Sequence, residues 1–379
     1  MHLMIRLGIL GGGQLAQMTT QAAISLGIET AIFERKPDSP ASRLTHHHVH
    51  GDWTDEAVLR QFADLCDVIT LENEFVDAQV LAQLEAWGKP VYPSAQTLGT
   101  VQDKLRQKQT MQSADIPLPP FVGVAAPADV LAAAEQFDWP LVLKSRRDGY
   151  DGYGNATLSG PDDVAAAFAQ LQTAKGALLV EGWVPFVREL AVMVLRGRDG
   201  ETRTYPVVET VQRDHICHVV RAPAAISADV REKARLIALK AVQAIDGVGV
   251  FGVELFELED GRVLYNEIAP RPHNSGHYTI EGCVTSQFEN HIRAVLGWPL
   301  GSTELVKPAA VMVNVLGGFQ GGAPADAAAP ALTVPGAHVH LYAKRDVRPG
   351  RKMGHVTALA ETIDAAEQTA RQAADRVTL

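Results

Sequence analysis

Two acidic residues in the second half of the chain have the spacing to share a divalent cation. In "GVELFELEDGRVLYNEIAPRPHNSGH" the dipeptide Asp260-Gly261 stands between two strand-like runs, the favoured sequence of a two-residue hairpin turn. Counting outward from that turn pairs Glu259 with Arg262, Glu257 with Leu264 and Glu254 with Glu267. Directly opposed residues share one face with Cβ atoms roughly 5 Å apart, so Glu254 and Glu267 repel unless something lies between them. Mg²⁺ suits that position, because it favours one or two carboxylates together with nucleotide phosphates. A solvated surface pair, or a bulge that breaks the register, is the plainer alternative. Asn266 beside Glu267 and the cationic "RPH" that follows favour the cation. On this count Glu257 faces outward as an ordinary surface acid.

Other stretches carry phosphate chemistry more loosely. In "VLKSRRDGYDGYGNAT" a strand ends at Lys144 and a loop follows with Gly149, Gly152 and Gly154. Repeated glycines let successive N–H groups converge on phosphate oxygens; a flexible hairpin tip is the alternative, and no Walker A pattern is present. "LLVEGWVPFVREL" places Glu181 and Glu189 around an apolar segment, and "YAKRDVRPGRKMGH" gathers Lys344, Arg348, Arg351 and Lys352. Near the start, "GILGGGQLAQM" matches a dinucleotide fingerprint through Gly11, Gly13 and Ala16, with Glu34 where a ribose-binding carboxylate would stand. Taken alone it describes an NAD-dependent dehydrogenase, with free N–H groups at a helix N-terminus suited to an anion. His46, His47, His48 and His50 are metal-like in composition, but adjacent strand residues alternate faces and converge poorly on one ion. No Ser-His-Asp or Cys-His nucleophile arrangement is legible.

These residues need a scaffold of more than one core, since 379 residues exceed what a single hydrophobic core serves. The pattern to about residue 100 alternates strand and helix ("RLGIL", a helix over 14–26, "ETAIFE", helices near 55–65 and 77–87, "DVITLE", "PVYPS"), which predicts a parallel sheet covered by helices. A helix over 102–114 leads to the Pro-rich "IPLPPF". Beyond it, "PLVLK", "ALLVEGWV", "RELAVMVLRG" and "TRTYPVVETV" suggest antiparallel hairpins, interrupted by a helix over 228–245. The Gly/Ala/Pro-rich stretch 317–336 reads as a loop, followed by a β-rich tail and a helix over 365–376. With 46% hydrophobic and 21% charged residues the composition is that of a globular protein. A net charge of −10 argues against nucleic acid as a partner. No apolar run is long enough for a bilayer. Three dispersed cysteines, Cys66, Cys217 and Cys283, fit buried thiols in a reducing cytoplasm.

Together, and in this order, "GILGGGQL", "PDSPAS", "QDKLRQK", "GYDG", "EIAPRPHNSGH" and "RPGRKMGH" resemble the ATP-grasp superfamily and, within it, the N5-carboxyaminoimidazole ribonucleotide synthetases. The resemblance implies an α/β and α+β chain: a Rossmann-like N-terminal (pre-ATP-grasp) domain over 1–100, an ATP-grasp domain over 101–300 and a small β-rich C-terminal domain over 301–379. It implies ATP- and bicarbonate-dependent carboxylation of 5-aminoimidazole ribonucleotide in purine biosynthesis, with Mg²⁺, or Mn²⁺ in its place, held by Glu254 and Glu267. ATP would meet Lys104, Lys144, the 149–155 loop (Gly149, Tyr150, Asp151, Gly152, Tyr153, Gly154, Asn155), Glu181, Gly182, Trp183, Val184, Glu189, Gln212, Asn266 and Glu267. The ribonucleotide would meet Gly13, Gln14, Leu15, Glu72, Glu74, Tyr150, His273, Asn274, Ser275, Lys344 and Arg351. Asp151, Lys344 and Arg271 are the implied catalytic groups, Asp151 taking the amine proton and Arg271 polarising bicarbonate. A homodimer is also implied. Five positions depart from the family pattern: Lys104 replaces an Arg, Gln212 a His, and Asp148, Tyr153 and Asn155 replace Gly, a base and Gln in the loop. The alternatives are another ATP-grasp ligase, such as formate-dependent glycinamide ribonucleotide transformylase, a non-catalytic nucleotide-binding homologue, which Tyr153 and Gln212 would allow, and the dehydrogenase.

Overall fold

The computed structural model describes residues 4–149, 154–172 and 177–379. Its N-terminal unit runs β1 (Arg6–Leu10), α1 (Gln14–Ser25), β2 (Glu29–Glu34), β3 (His47–His50), α2 (Glu56–Leu65), β4 (Val68–Leu71), α3 (Ala78–Ala86) and α4 (Ala95–Val101). The strands form a parallel sheet in the order β3-β2-β1-β4. All five residues of β1 are buried, as a parallel strand covered on both faces requires. Asp55, Asp77 and Ser94 cap the N-termini of α2, α3 and α4 through their side chains. "PVYPS" contributes a single bridge, Ile69 to Val91, rather than a strand.

Helix α5 (Lys104–Ser113), capped by Asp103, leads into a small lobe: β5 (Phe121–Val124), α6 (Pro127–Phe137), β6 (Leu141–Ser145), β7 (Asn155–Leu158), α7 (Val164–Leu171) and β8 (Leu178–Gly182). Its antiparallel sheet has the order β5-β8-β6-β7, packed on Val130, Leu141, Leu143, Phe168 and Val180. A larger lobe follows with β9 (Phe186–Arg196), β10 (Thr202–Thr204), β11 (Val208–Arg213), β12 (Ile216–Ala222), α8 (Ala228–Ala244), β13 (Gly249–Leu258), β14 (Val263–Ala269), α9 (Thr279–Gly282) and α10 (Gln287–Leu296). The last region holds β15 (Ala309–Leu316), β16 (Gly321–Gly322), β17 (Ala337–Leu341), β18 (Asp346–Val347), β19 (Lys352–Ala360) and α11 (Ile363–Ala374).

One sheet crosses the expected boundary at residue 300. Its strand order is β14-β13-β9-β11-β12-β15-β19-β17, with β10 beside β9. The joint is the β12–β15 pairing, from Val219 opposite Val313 to Ala222 opposite Ala310. The C-terminal region therefore extends the large lobe's sheet, and it cannot move without breaking ladder hydrogen bonds. Helix α10 likewise belongs to two units, since Ile292 and Val295 are buried with Leu7, Ile9 and Ala16 of the N-terminal unit. The sequence reading passes over α4, α6, α7 and α10. Helices α6 and α7 are Ala-rich, so small apolar residues fall on most sides of each, which weakens their periodic signal. Among the described residues no helix is long and apolar enough to cross a membrane, and the three cysteines are buried and unbridged.

Candidate functional site

A cleft of about 760 Å³ opens between the small lobe, the large lobe and the N-terminal unit. Its nucleotide-facing wall is built on cross-strand geometry. Val142 opposes Glu181 between β6 and β8, which brings Lys144, at the end of β6, within 3.1 Å of Glu181 Oε2. On the other side Lys108 Nζ of α5 stands 3.2 Å from Glu181 Oε1 and only 2% of its side chain is exposed. Burial pushes the Lys108 ammonium down to about 8. Burial also works to raise Glu181, but Lys108 and Lys144 outweigh it and hold the carboxyl below its ordinary value. One buried carboxylate thus aims two ammonium groups. Lys108 ends the motif "QDKLRQK", but no role for it was legible there, and it stands behind the cleft wall.

Gly182, Trp183 and Val184 line the same wall, with Gly149 and Asn155 at its rim. Gly182 has little room for a side chain, since a Cβ there would lie 2.8 Å from Pro120 Cγ. Beside it Phe186 and Phe256 stack at 4.8 Å, 12° from parallel. Gly154 lies off the wall; its carbonyl accepts from Ser145 N at 2.7 Å, which closes the base of the loop. Tyr150, Asp151, Gly152 and Tyr153 lie outside the described residues. Glu189 and Gln212 both line the cleft. Burial raises the Glu189 carboxyl, while the Gln212 side chain, hydrogen-bonded to it, works the other way.

The two hairpin carboxylates are opposed as expected, Glu254 against Glu267, and both line the cleft with Asn266. The route to that register is different. Gly261, at φ +76°, ends a three-residue turn in which Leu258 N donates to Arg262 O and Gly261 N donates to Leu258 O. The register near the turn is therefore shifted, with Glu257 opposite Val263 and Leu255 opposite Tyr265. A bulge at Asn266 then restores the count, so that Glu254 meets Glu267. The expectation for Glu257 fails for a different reason, its neighbour on β9, where it stands opposite Arg188. It is buried and its Oε2 accepts from Arg188 at 2.6 Å.

The electrostatics of the pair are lopsided. Lys104 Nζ donates to Glu267 Oε2. Burial works to raise Glu267, but Lys104 dominates and holds it well below the carboxylate range. Glu254 has His273 Nε2 at 3.5 Å; burial first, then repulsion from Glu267 and Glu189, pushes it up against the weaker pull of Lys104 and Lys352. A carboxylate crowded by two others wants a cation that Lys104 alone does not supply. Among the described residues no group of three or more His, Cys, Asp or Glu forms a metal cage. Two carboxylates fit an Mg²⁺ that takes its other ligands from phosphate and water.

The opposite wall comes from residues 271–275, which follow β14. Arg271 forms a forked pair with Glu74, Nη2 lying 2.7 Å from Oε1. His273, Asn274 and Ser275 line the cleft beside it. Burial, reinforced by Arg271 and Lys352, pushes the His273 imidazole down to about 4. Gln287 of α10 holds this segment much as a neighbouring strand would: its Oε1 accepts from His273 N and its Nε2 donates to His273 O, each at 2.9 Å. Lys344 and Arg351 do not line the described cleft. Lys344 donates to Lys352 O at 2.6 Å and lies over the Tyr342 ring, while Arg351 donates to Asp346 O. Tyr342 and Lys352 occupy the wall there instead.

The glycine loop departs most from expectation. Gln14 and Leu15 reach the cleft, but three N–H groups of the turn and helix start, those of Gly12, Gly13 and Ala16, are already bonded within the protein. Gly12 N donates to Glu34 Oε2 at 2.9 Å, and Gly13 N and Ala16 N donate to the two Glu72 oxygens at 2.7 and 3.1 Å. Gly13 lies off the cleft wall and is glycine because of Glu72: a Cβ would lie 2.6 Å from Glu72 Oε1. Burial raises the Glu72 carboxyl even though the two backbone bonds work to lower it. With Glu34 bonded to the loop, the ribose contact of a dehydrogenase loses its carboxylate. In the histidine run His46 and His50 are exposed, His47 and His48 half-buried and Val49 buried, and His47 turns to Glu29 at 3.3 Å.

Comparison with known proteins accounts for this arrangement. A ribonucleotide synthetase preATP-grasp domain matches residues 4–102, an ATP-grasp domain matches 109–288, and a phosphoribosylaminoimidazole carboxylase C-terminal domain matches 310–369. The N5-carboxyaminoimidazole ribonucleotide synthase of Mycobacterium bovis is 44% identical over 370 residues, covering 94% of this chain and 83% of its own. The chloroplastic phosphoribosylaminoimidazole carboxylase of Vigna aconitifolia is 42% identical over 95% of this chain, which spans only 65% of that longer protein. The solved N5-carboxyaminoimidazole synthase of Aspergillus clavatus, in complex with ADP and 5-aminoimidazole ribonucleotide, superposes with a TM-score of 0.89 at 40% identity, covering 98% of both chains. By identity, coverage and shared architecture, the chain belongs to the N5-carboxyaminoimidazole ribonucleotide synthase family of ATP-grasp proteins.

Proposed function

We propose that this protein is an ATP-dependent ligase that carboxylates the exocyclic amine of 5-aminoimidazole ribonucleotide in purine biosynthesis, with bicarbonate as the carbon donor. The observation that carries the reading is the Glu254–Glu267 pair set between Lys104, Lys144 and Glu181 on one side and residues 271–275 on the other. A bicarbonate oxygen attacks the γ-phosphorus of ATP and the bond to the β-phosphate oxygen breaks, giving carboxyphosphate and ADP. The amine nitrogen then attacks the carboxyl carbon, directly or after CO₂ is released in the cleft. The carbon–oxygen bond to phosphate breaks, phosphate leaves, and the amine loses a proton.

Phosphoryl transfer asks the protein mainly for positioning and positive charge. Lys104 and Lys144 stand ready to exchange Glu267 and Glu181 for phosphate oxygens. Glu254 and Glu267 would hold Mg²⁺, or Mn²⁺ in its place, with Asn266 alongside; bound there, the cation neutralises charge on the transferring phosphoryl group. Gly182, Trp183 and Val184 suit adenine, and Glu189 suits the ribose. Asp151 is the proposed acceptor of the amine proton. Arg271, tied to Glu74, is proposed to orient the bicarbonate carboxylate as a fork. Lys344 and Arg351 would need to leave their carbonyl partners to reach the ribonucleotide. The buried thiols suit a reducing cytoplasm, and a homodimer is the proposed assembly.

The test is ADP formation measured with 5-aminoimidazole ribonucleotide, with and without bicarbonate, beside glycinamide ribonucleotide with formate. ADP release that requires the first pair is expected. Release supported only by the second pair identifies a formate-dependent ligase, and nicotinamide binding without ATP turnover restores the dehydrogenase.

A further inference from the structure

The C-terminal sheet carries a row of polar side chains across three neighbouring strands, at an interface that apolar residues would ordinarily fill. Asn314 of β15 opposes His355 of β19, and His355 opposes His340 of β17. Cross-strand partners share a face, so the three form one rung. Facing them is the helical segment that begins in the cleft, where Asn274, His277 and Glu281 fall on one side at spacings of a helical face. Asn274 and Asn314 exchange two amide hydrogen bonds, 2.9 and 2.7 Å. The His277 and His355 rings lie 5.1 Å apart, and His340 Nε2 lies 2.6 Å from Glu281 Oε1. The His340 and His355 rings stack at 4.5 Å, and His355 Nδ1 is 3.0 Å from the Tyr342 hydroxyl.

We infer that this rung is a positioning device: the C-terminal sheet sets the place of Asn274, and with it His273, in the cleft. The inference rests on the reading of residues 273–275 as contacts to the ribonucleotide. The opposing partners come in matched order, one strand position to about one helical turn, so sliding either element breaks all three contacts together. The second anchor of the segment is Gln287, which holds His273 through its backbone and also reaches His277 Nδ1 at 3.0 Å. Asn314 is buried and does not line the cleft; its amide also donates to the carbonyl of the cleft residue Cys217 at 2.9 Å, so the double variant with Asn274→Ala decides whether its effect on substrate passes through Asn274. It is a positioning residue.

The test uses the full-length protein with Asn314→Leu, alone and combined with Asn274→Ala. The amides of the helical segment, such as His277 N bonded to Asn274 O and Ile280 N bonded to His277 O, should exchange at least about tenfold faster in N314L, with β6 and β8 unchanged. KM for 5-aminoimidazole ribonucleotide should rise about tenfold while KM for ATP stays within about twofold. In the double variant that KM should be no higher than in N274A alone, since both act through one contact. Unchanged exchange in the segment overturns the inference whatever the enzyme catalyses. Faster exchange with an unchanged KM for the ribonucleotide, or additive effects in the double variant, overturns the positioning role. If the unmodified protein shows no turnover of this ribonucleotide, the functional reading fails, and exchange alone then decides the rung. Should N314L not fold, Asn314→Asp, which keeps an acceptor and loses the donor, carries the same comparisons.

Discussion

Lys104, Lys108 and Lys144 are each paired with a carboxylate, Lys104 with Glu267 and the other two with Glu181. Pairing stores the cations in the cleft at little cost, because a buried ammonium without a partner would lose its proton. It also means that Glu267 serves twice, steadying Lys104 and facing Glu254. Replacing Glu267 by Gln keeps the shape and removes the charge for both roles. Mg²⁺-dependent ADP formation should fall at least about 100-fold, while the far-ultraviolet circular dichroism stays that of the parent. Full activity in E267Q would show that the cation does not sit on this hairpin. At this scale much was legible: residue types and spacing alone brought Glu254 to Glu267. They did so through two errors that cancel. The turn is one residue longer than the Asp260-Gly261 rule predicts, and the Asn266 bulge returns the residue. A bulge has no sequence signature comparable to a turn's, and Glu257, which lies between the two, was given the wrong partner for that reason; its burial comes from Arg188 on β9, which no local rule announces.

At the scale of elements, α1 shows a helix N-terminus partly filled from within. Its capping residue, Gly13, makes no side-chain hydrogen bond, and Glu72, far away in sequence, supplies the missing acceptors. Glu72→Ala should therefore cost about 1–2 kcal/mol of stability, read as a lower midpoint in urea. A variant with unchanged stability and a raised KM for the ribonucleotide would make Glu72 a substrate contact instead. The fingerprint correctly announced a strand, a tight turn and a helix. It could not say what occupies the N–H groups, because the occupant arrives on β4.

Over the whole molecule, α10 and the shared sheet bind the parts into one body. His291 of α10 shows how. Its Nδ1 accepts from Val250 N of β13 at 3.1 Å, and its Nε2 lies 2.8 Å from the Thr70 hydroxyl of β4. With Nδ1 committed as an acceptor, the ring is held neutral, and burial pushes its pKa from 6.5 down to about 4. The unfolded chain binds the proton first as pH falls, so this stability is present above pH 6.5 and is lost progressively toward pH 4. The slope approaches about 1.4 kcal/mol per pH unit for one such group. Chemical denaturation across that range should show the loss. In His291→Gln the difference from the parent should shrink as pH falls; a constant difference would show that His291 does not titrate on unfolding.

Local pattern determined a great deal of this protein: the parallel N-terminal sheet, the antiparallel lobes and the ordered motifs that announce an ATP-grasp protein. These rest on short-range rules of turn chemistry, periodicity and residue type, which the chain carries in each segment. The tertiary structure decided who pairs with whom across long separations. It put Glu72 on the glycine loop, Lys108 behind Glu181 and Gln287 on His273. It also ran one sheet through the boundary expected at residue 300. Such contacts depend on where distant segments meet, and a buried lysine or glutamine reads like a surface one until its partner is in place. The glycine fingerprint thus marks a fold, while the cleft beside it takes its chemistry from residues that only folding assembles.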